Sequence, residues 1–136
     1  MRAVIVCFTS LLVLGGAAAA AETPAKPSAL GVWINPAQTV KVETSSCGAS
    51  LCGAVVWATP DARAAAKKAG TDPLIGVQLL RKYRRTASGG WQGEVFVPDM
   101  KRVFFSRIEQ SGRDKLKISG CILRGLICRS QTWTRV

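Results

Sequence analysis

Histidine is missing from all 136 residues. Its absence removes the side chain most often used as a general base and one of the commonest metal ligands. Acidic residues are scarce: 8 Asp and Glu stand against 19 Lys and Arg, a formal net charge of +11. No G-x-S-x-G elbow, Walker loop or dinucleotide fingerprint occurs, which removes the familiar nucleophile and phosphate-cradle designs. No segment repeats. The apolar run from Val4 to Leu14 is too short and too poorly flanked to span a bilayer. Catalysis would have to come from a carboxylate pair, as in glycosidases. Glu43, Glu94 and Glu109 fall on expected strands, and Asp61, Asp72, Asp99 and Asp114 near expected turns. The chain is therefore read as a binding protein rather than an enzyme, with no cofactor.

What is present begins with an export signal. Residues 1–21 read as a secretory signal peptide: Arg2 is the basic start, Val4 to Leu14 the apolar core, and Ala17 to Ala21 offers A-x-A cleavage sites. Cys7 lies inside that core and does not follow a small-residue lipobox. Cleavage near Ala21 would place the mature chain in the periplasm or outside the cell, as an expected monomer. Arg2 would leave with the signal, so 18 basic residues would face 8 acidic ones, a net +10. Residues 22–29 are rich in Pro, Ala and Lys and read as a linker, and residues 30–136 as a single β domain, long enough for one core.

Removing the signal leaves Cys47, Cys52, Cys121 and Cys128, an even number suited to an oxidising compartment. Cys47 and Cys52 bracket four residues, and Gly48 supplies a positive φ for a tight turn. Cys121 and Cys128 bracket six residues that include Gly125. Opposed residues in an antiparallel pair hold their Cβ atoms about 4.5–5.5 Å apart, and less at non-hydrogen-bonded positions. A disulfide spans about 3.5–4.5 Å. The spacing therefore favours pairing within each loop, each bridge contributing roughly 2–2.5 kcal/mol by loop entropy. Four cysteines nevertheless permit three pairings, and a crossed one stays open at this level. A four-thiolate zinc site wants two C-x-x-C pairs, so no metal is expected.

Alternation of apolar and polar residues, punctuated by turn signals, predicts about eight strands. They start with Gly31-Val32-Trp33 and Thr39–Thr44. Leu51–Thr59 returns from the first cysteine loop, and its Ala54-Val55-Val56-Trp57 run, apolar on both faces, predicts a central or covered strand. Residues 61–70 break the pattern. Asp61 as cap, an alanine-rich middle, Lys67 and Lys68 in the last turn and Gly70 as stop predict a short helix or ordered loop across one barrel end. Leu74–Tyr83, Trp91–Val97, Lys101–Glu109, Lys115–Gly120 and Ile127–Arg135 complete the set. The expected fold is all-β: one antiparallel up-and-down β-barrel of about eight strands, closed or nearly so.

Several motifs occur together: G-x-W from Gly31, C-G-x-x-L-C-G-x-x-V-W from Cys47, D-P-L-x-G-x-x-L-L from Asp72, W-x-G-x-x-x-x-P-D from Trp91, L-K-x-S-G-C from Leu116 and C-R-S-Q-T-W-T-R from Cys128. In combination they resemble the bacterial family called domain of unknown function 2147, small secreted proteins, over nearly all of the mature chain. The alanine- and lysine-rich stretch Ala62–Ala69 departs from that pattern. The resemblance implies export and a single domain and names no activity. G-x-W on the first strand with Arg135 near the end of the last also resembles lipocalin-like barrels. There a guanidinium stacks on the indole at one barrel end.

Two sets of residues are candidates for binding. Trp33, Trp57, Phe104, Trp133 and Arg135 would line a cavity for a small apolar or amphipathic ligand, against the simpler alternative that the aromatics fill the core. Arg81, Lys82, Arg84 and Arg85, around Tyr83, would contact an anionic envelope surface of lipid or polysaccharide, against the alternative of a solvated strand edge. Nucleic acid is not expected as a partner outside the cytoplasm.

Overall fold

The computed structural model describes Ala19, Ala20 and residues 28–136. Almost all of the expected signal peptide and most of the expected linker lie outside these residues. Eight strands form one closed antiparallel barrel in sequence order. They are β1 (Gly31–Ile34), β2 (Val40–Cys47), β3 (Ser50–Ala58), β4 (Gln78–Arg85), β5 (Trp91–Val97), β6 (Arg102–Ser111), β7 (Lys115–Ile122) and β8 (Ile127–Arg135), with helix α1 (Pro60–Lys68) between β3 and β4. Period-2 patterning drives this result: on β6 and β7, Ser106, Ile108, Leu116 and Ile118 point inward and are buried, while their neighbours face water.

Up-and-down order gives the barrel two distinct ends. The chain start at Ser28, the Cys47–Cys52 hairpin, the β6–β7 turn and Arg135 share one end, which is plugged. Loop 35–39, α1, the β5–β6 turn and the β7–β8 loop share the other, which is the mouth. The seam between β1 and β8 is two residue pairs long, Trp33↔Arg135 and Ile34↔Thr134. β1 ends there because Asn35 turns the chain, its side-chain oxygen accepting from the backbone N–H groups of Thr39 and Val40. Residues Ile127–Trp133 of β8 therefore pair with β7 alone, and the barrel wall is open along that side near the mouth.

Both disulfides join within their own hairpin, Cys47–Cys52 and Cys121–Cys128. Cys121 and Cys128 sit directly opposite one another in the ladder. Cys47 faces Ser50 and Cys52 faces Ser45, so the first bridge runs diagonally across a two-residue turn in which Gly48 takes φ 64°.

Four expectations need correction. α1 is capped by Thr59, whose side chain accepts from the Ala62 N–H; Pro60 opens the helix and Asp61 lies in its first turn. β4 begins at Gln78 and not at Leu74. Residues 74–77 instead make backbone bonds to a single residue, with Val55 N–H donating to Val77 O and Gly76 N–H donating to Val55 O. The Ala54–Trp57 run is not covered: a register shift beside it leaves Val56 as an extra residue on β3. Val56 and Trp57 then both face solvent, 42% and 41% exposed. Finally, Ala29 belongs to the packed end and not to a linker, because its carbonyl accepts from Trp33 Nε1 and Thr44 Oγ1 while its side chain is buried.

Candidate ligand-binding site

The interior divides into a solid lower half and a hollow upper half. Trp33, Val42, Leu51, Leu80, Tyr83, Ile108 and Leu116 are fully buried and fill the barrel below its middle. Above them a cavity of about 930 Å³ opens at the mouth. Its walls are apolar: Leu74, Leu79, Val95, Phe104, Ile118 and Trp133. Ala62, Ala65 and Ala66 of α1 form part of its rim. Alanine there keeps the helix close without filling the space beneath it. Polar groups stand at the margin: Asn35, Asp61 and Asp99 at the rim, and Arg129 and Gln131 on the stretch of β8 that pairs with β7 alone. Gln131 is oriented by accepting from Trp133 Nε1 at 3.0 Å.

A layer of small residues crosses the wall, and one of them, Gly120, lines the cavity. Gly93, Ser106 and Gly120 are in register across β5, β6 and β7. Gly93 leaves room for the Tyr83 ring, which lies against it. Gly120 leaves room for the cavity itself. The Tyr83 hydroxyl and Ser106 Oγ are both buried, and among the described residues neither makes a hydrogen bond of good geometry. Burial pushes the Tyr83 phenol far above its ordinary value. The nearby Ser106 hydroxyl pulls the other way, and the Glu94 charge adds to the rise.

This gives a pH dependence with a definite sign. An unfolded tyrosine ionises near pH ~10, whereas buried Tyr83 keeps its proton, so above that pH the folded state binds more protons than the unfolded one. Its contribution is fully present below about pH 10 and is lost as pH rises beyond it, by up to about 1.4 kcal/mol per pH unit. The chain has one tyrosine, so tyrosinate absorbance reports this residue alone. The absorbance is expected to appear only together with unfolding, and Tyr83→Phe to unfold at higher pH. Tyrosinate forming with a midpoint near pH ~10 while the barrel stays folded would contradict the burial argument.

The structure separates the five residues expected to bind ligand. Phe104 and Trp133 line the cavity. Trp33 is the plug of the opposite end, with Nε1 donating to Ala29 O and Thr44 Oγ1. The Arg135 guanidinium covers the Trp33 ring at 4.2 Å, so the expected meeting of the two chain ends is present. Trp57 lies on the outer wall beneath Lys41, whose Nζ is 5.0 Å from the ring. Trp33, Trp57 and Arg135 therefore do not line the cavity. Of the lining residues that sequence reasoning missed, Ile118, Arg129 and Gln131 are ordinary inward positions on their strands, and Leu79 lies beside inward Leu80 at a register shift. Only the location of the mouth, a three-dimensional fact, marks them out.

The basic cluster is also divided. Arg81 stacks on Phe96 at 4.6 Å and donates from Nε to Gln78 O. Arg85 stacks on Trp91 at 4.3 Å and donates to Gly89 O. Lys82 and Arg84 remain exposed. Strict alternation would already have split the four, with Arg81 and Arg85 on the Tyr83 face and Lys82 and Arg84 on the other, and a register shift between Arg81 and Arg84, with Lys82 at φ 55°, breaks that alternation. Among the described residues, no group of three or more Cys, Asp or Glu is placed to hold a metal. No described helix is long and apolar enough to cross a membrane.

Comparison with solved structures finds protein HP1028 from the human pathogen Helicobacter pylori, described as belonging to the lipocalin family. The TM-score is 0.65 at 12% identity, covering 82% of this chain and 84% of that one. At that identity the likeness is one of fold: a closed eight-stranded antiparallel barrel of lipocalin type. No curated protein matches the chain. A family model described as "Uncharacterized protein conserved in bacteria (DUF2147)" matches residues 31–135. That span runs from the glycine beneath the Arg135 guanidinium, through both disulfide hairpins, to Arg135 itself, and the chain belongs to this family.

Proposed function

We propose that this protein is an exported, monomeric binding protein that holds a small apolar or amphipathic molecule in the upper half of its barrel. The observation that carries the reading is the cavity: about 930 Å³, walled by aliphatic and aromatic side chains, with polar groups only at its rim and open side. Sites for small ligands have this size and this distribution of polarity. The plug below supports it. Trp33 and Arg135 stabilise the barrel from the closed end, so the upper half needs no side chains of its own to fill it. The structural neighbour is described as a lipocalin-family protein, and a cup with one plugged end suits holding rather than reacting. Export is supported by the two disulfides and by the apolar leader of the sequence.

Native mass spectrometry tests this. Disulfide-intact protein is incubated with a lipid extract of bacterial envelopes and compared with Gly120→Phe. Gly120 lines the cavity, and the nearest atom to an added Cβ is 3.4 Å away, so the phenyl ring would occupy the ligand's space. The wild type is expected to carry a discrete bound mass and the variant to lose at least about tenfold in occupancy, on the order of 1.4 kcal/mol. A wild type that stays at its bare mass would reject a ligand-holding role. So would a bound mass unaffected by the substitution.

A further inference from the structure

We infer that the mouth end of the barrel docks onto an anionic lipid bilayer through the Cys121–Cys128 loop. Of the large apolar side chains left in solvent among the described residues, only Leu30 and Val136 belong to the plugged end. The others lie on the barrel wall or around the mouth, and they are densest in this loop. Leu123 is 63% exposed and Leu126 84%, and Ile122 and Ile127 beside them are also exposed. Met100, on the β5–β6 turn, is also exposed and borders the cavity mouth together with Ile122 and Ile127. A soluble surface seldom leaves so many aliphatic side chains together on one loop.

The loop's backbone is held in that shape against local preference. Leu123 and Arg124 take φ 51° and 55°, consecutive left-handed conformations in residues that carry side chains, followed by Gly125 at 89°. Such conformations are uncommon and persist where the surroundings enforce them. Here the disulfide closes the base of the loop, and Gly125 rests against Phe105 and the Arg107 guanidinium on the outer wall. The result is a fixed apolar tip on a stapled turn.

Charge decides which partner fits. Residues 98–107 and 121–130 contain Lys101, Arg102, Arg107, Arg124 and Arg129 against Asp99 alone. Among the described residues none of these five cations is in an ion pair. Aliphatic side chains at the tip with cations around its base match an anionic bilayer interface: the leucines enter the acyl boundary and the arginines meet headgroup phosphates. Arg102 and Arg107 stack on Phe104 and Phe105 of the strand beside the loop, whereas Arg81 and Arg85 lie on β4 and are not part of this surface. The geometry would set the cavity mouth against the membrane. The docking itself does not require an occupied cavity, so it is tested without ligand.

The test is sedimentation of disulfide-intact protein with vesicles of phosphatidylglycerol and phosphatidylethanolamine, against vesicles of phosphatidylcholine. The wild type is expected to bind the anionic vesicles and to be released by salt. Leu123→Ser with Leu126→Ser should weaken binding at least about tenfold through lost apolar burial. Lys101→Ser with Arg124→Ser should weaken it by about fivefold per charge and flatten its salt dependence. All four residues are exposed, so thermal melting should show both variants folded. The quadruple replacement of Arg81, Lys82, Arg84 and Arg85 by serine should leave vesicle binding in place. Three results would overturn the inference: no binding by the wild type, binding that survives both loop variants but not the quadruple one, or a soluble dimer that the leucine variant dissociates. The last would make the tip a self-association surface. None of these outcomes bears on whether the cavity holds a ligand, which the bound-mass experiment decides separately.

Discussion

Replacing Arg135 with alanine is expected to lower the free energy of unfolding by about 3 kcal/mol. The guanidinium ties together three segments at the plugged end. Nη1 donates to Leu30 O at 2.8 Å, Nη2 to Ser28 O at 2.7 Å and Nε to Arg113 O at 2.8 Å. Its plane lies over the indole of Trp33, which is wholly buried. Stacking contributes about 0.5–2 kcal/mol. A hydrogen bond from a charged donor contributes up to about 1.5–3 kcal/mol, discounted here because water can reach these carbonyls once the side chain is gone. Arg135 also stands at one of the two residue pairs that close the β1–β8 seam, so its loss falls where closure is thinnest. Arg135→Lys should recover no more than about 1 kcal/mol, because an ammonium neither stacks as a plane nor reaches three acceptors at once. Urea unfolding of the disulfide-intact protein measures both variants. A loss below about 0.5 kcal/mol for alanine, the scale of an ordinary surface substitution, would show that the plug is held by the Trp33 packing alone.

The same contact explains the glycine of the G-x-W motif. Gly31 has φ 142°, and a Cβ added there would collide with the Arg135 guanidinium. Trp33, Arg135 and Gly31 are thus one device; the meeting of Trp33 and Arg135 was legible in the sequence because an even-stranded barrel must bring its two ends together, and the place of Gly31 beneath the guanidinium was not. The disulfide pairing was legible for a related reason: short loops between alternating strands leave little choice of partner. What could not be read were the places where a strand departs from strict alternation. The extra residue at Val56 turns Trp57 outward, and no periodicity announces an inserted residue. The start of β4 was hidden because Leu74–Val77 is apolar and reads as strand, yet only its bonds to Val55 hold it to the sheet. The cavity was hidden most completely. Phe104 and Ile108 share a face of β6, but the first lines a hollow and the second lies in solid core. Only the height of each residue along the barrel distinguishes them.

The boundary between hollow and core rests on Gly93, and Gly93→Ala is expected to destabilise the protein by about 3 kcal/mol. The register shift in β4, with Lys82 at φ 55°, brings β4 hard against β5 at this point. A Cβ on Gly93 would lie 2.6 Å from the Arg81 carbonyl oxygen, 2.7 Å from Tyr83 Cγ and 2.8 Å from Tyr83 Cα. Two of these are backbone atoms of a paired strand, so relief requires moving the strand and not merely turning a side chain. Gly120 is the internal control. It belongs to the same small-residue layer, but its added Cβ would meet nothing nearer than Val95 Cγ1 at 3.4 Å. Gly120→Ala should therefore change stability by less than about 1 kcal/mol. Equal stabilities for the two alanine variants in chemical denaturation would show that β4 yields at Arg81.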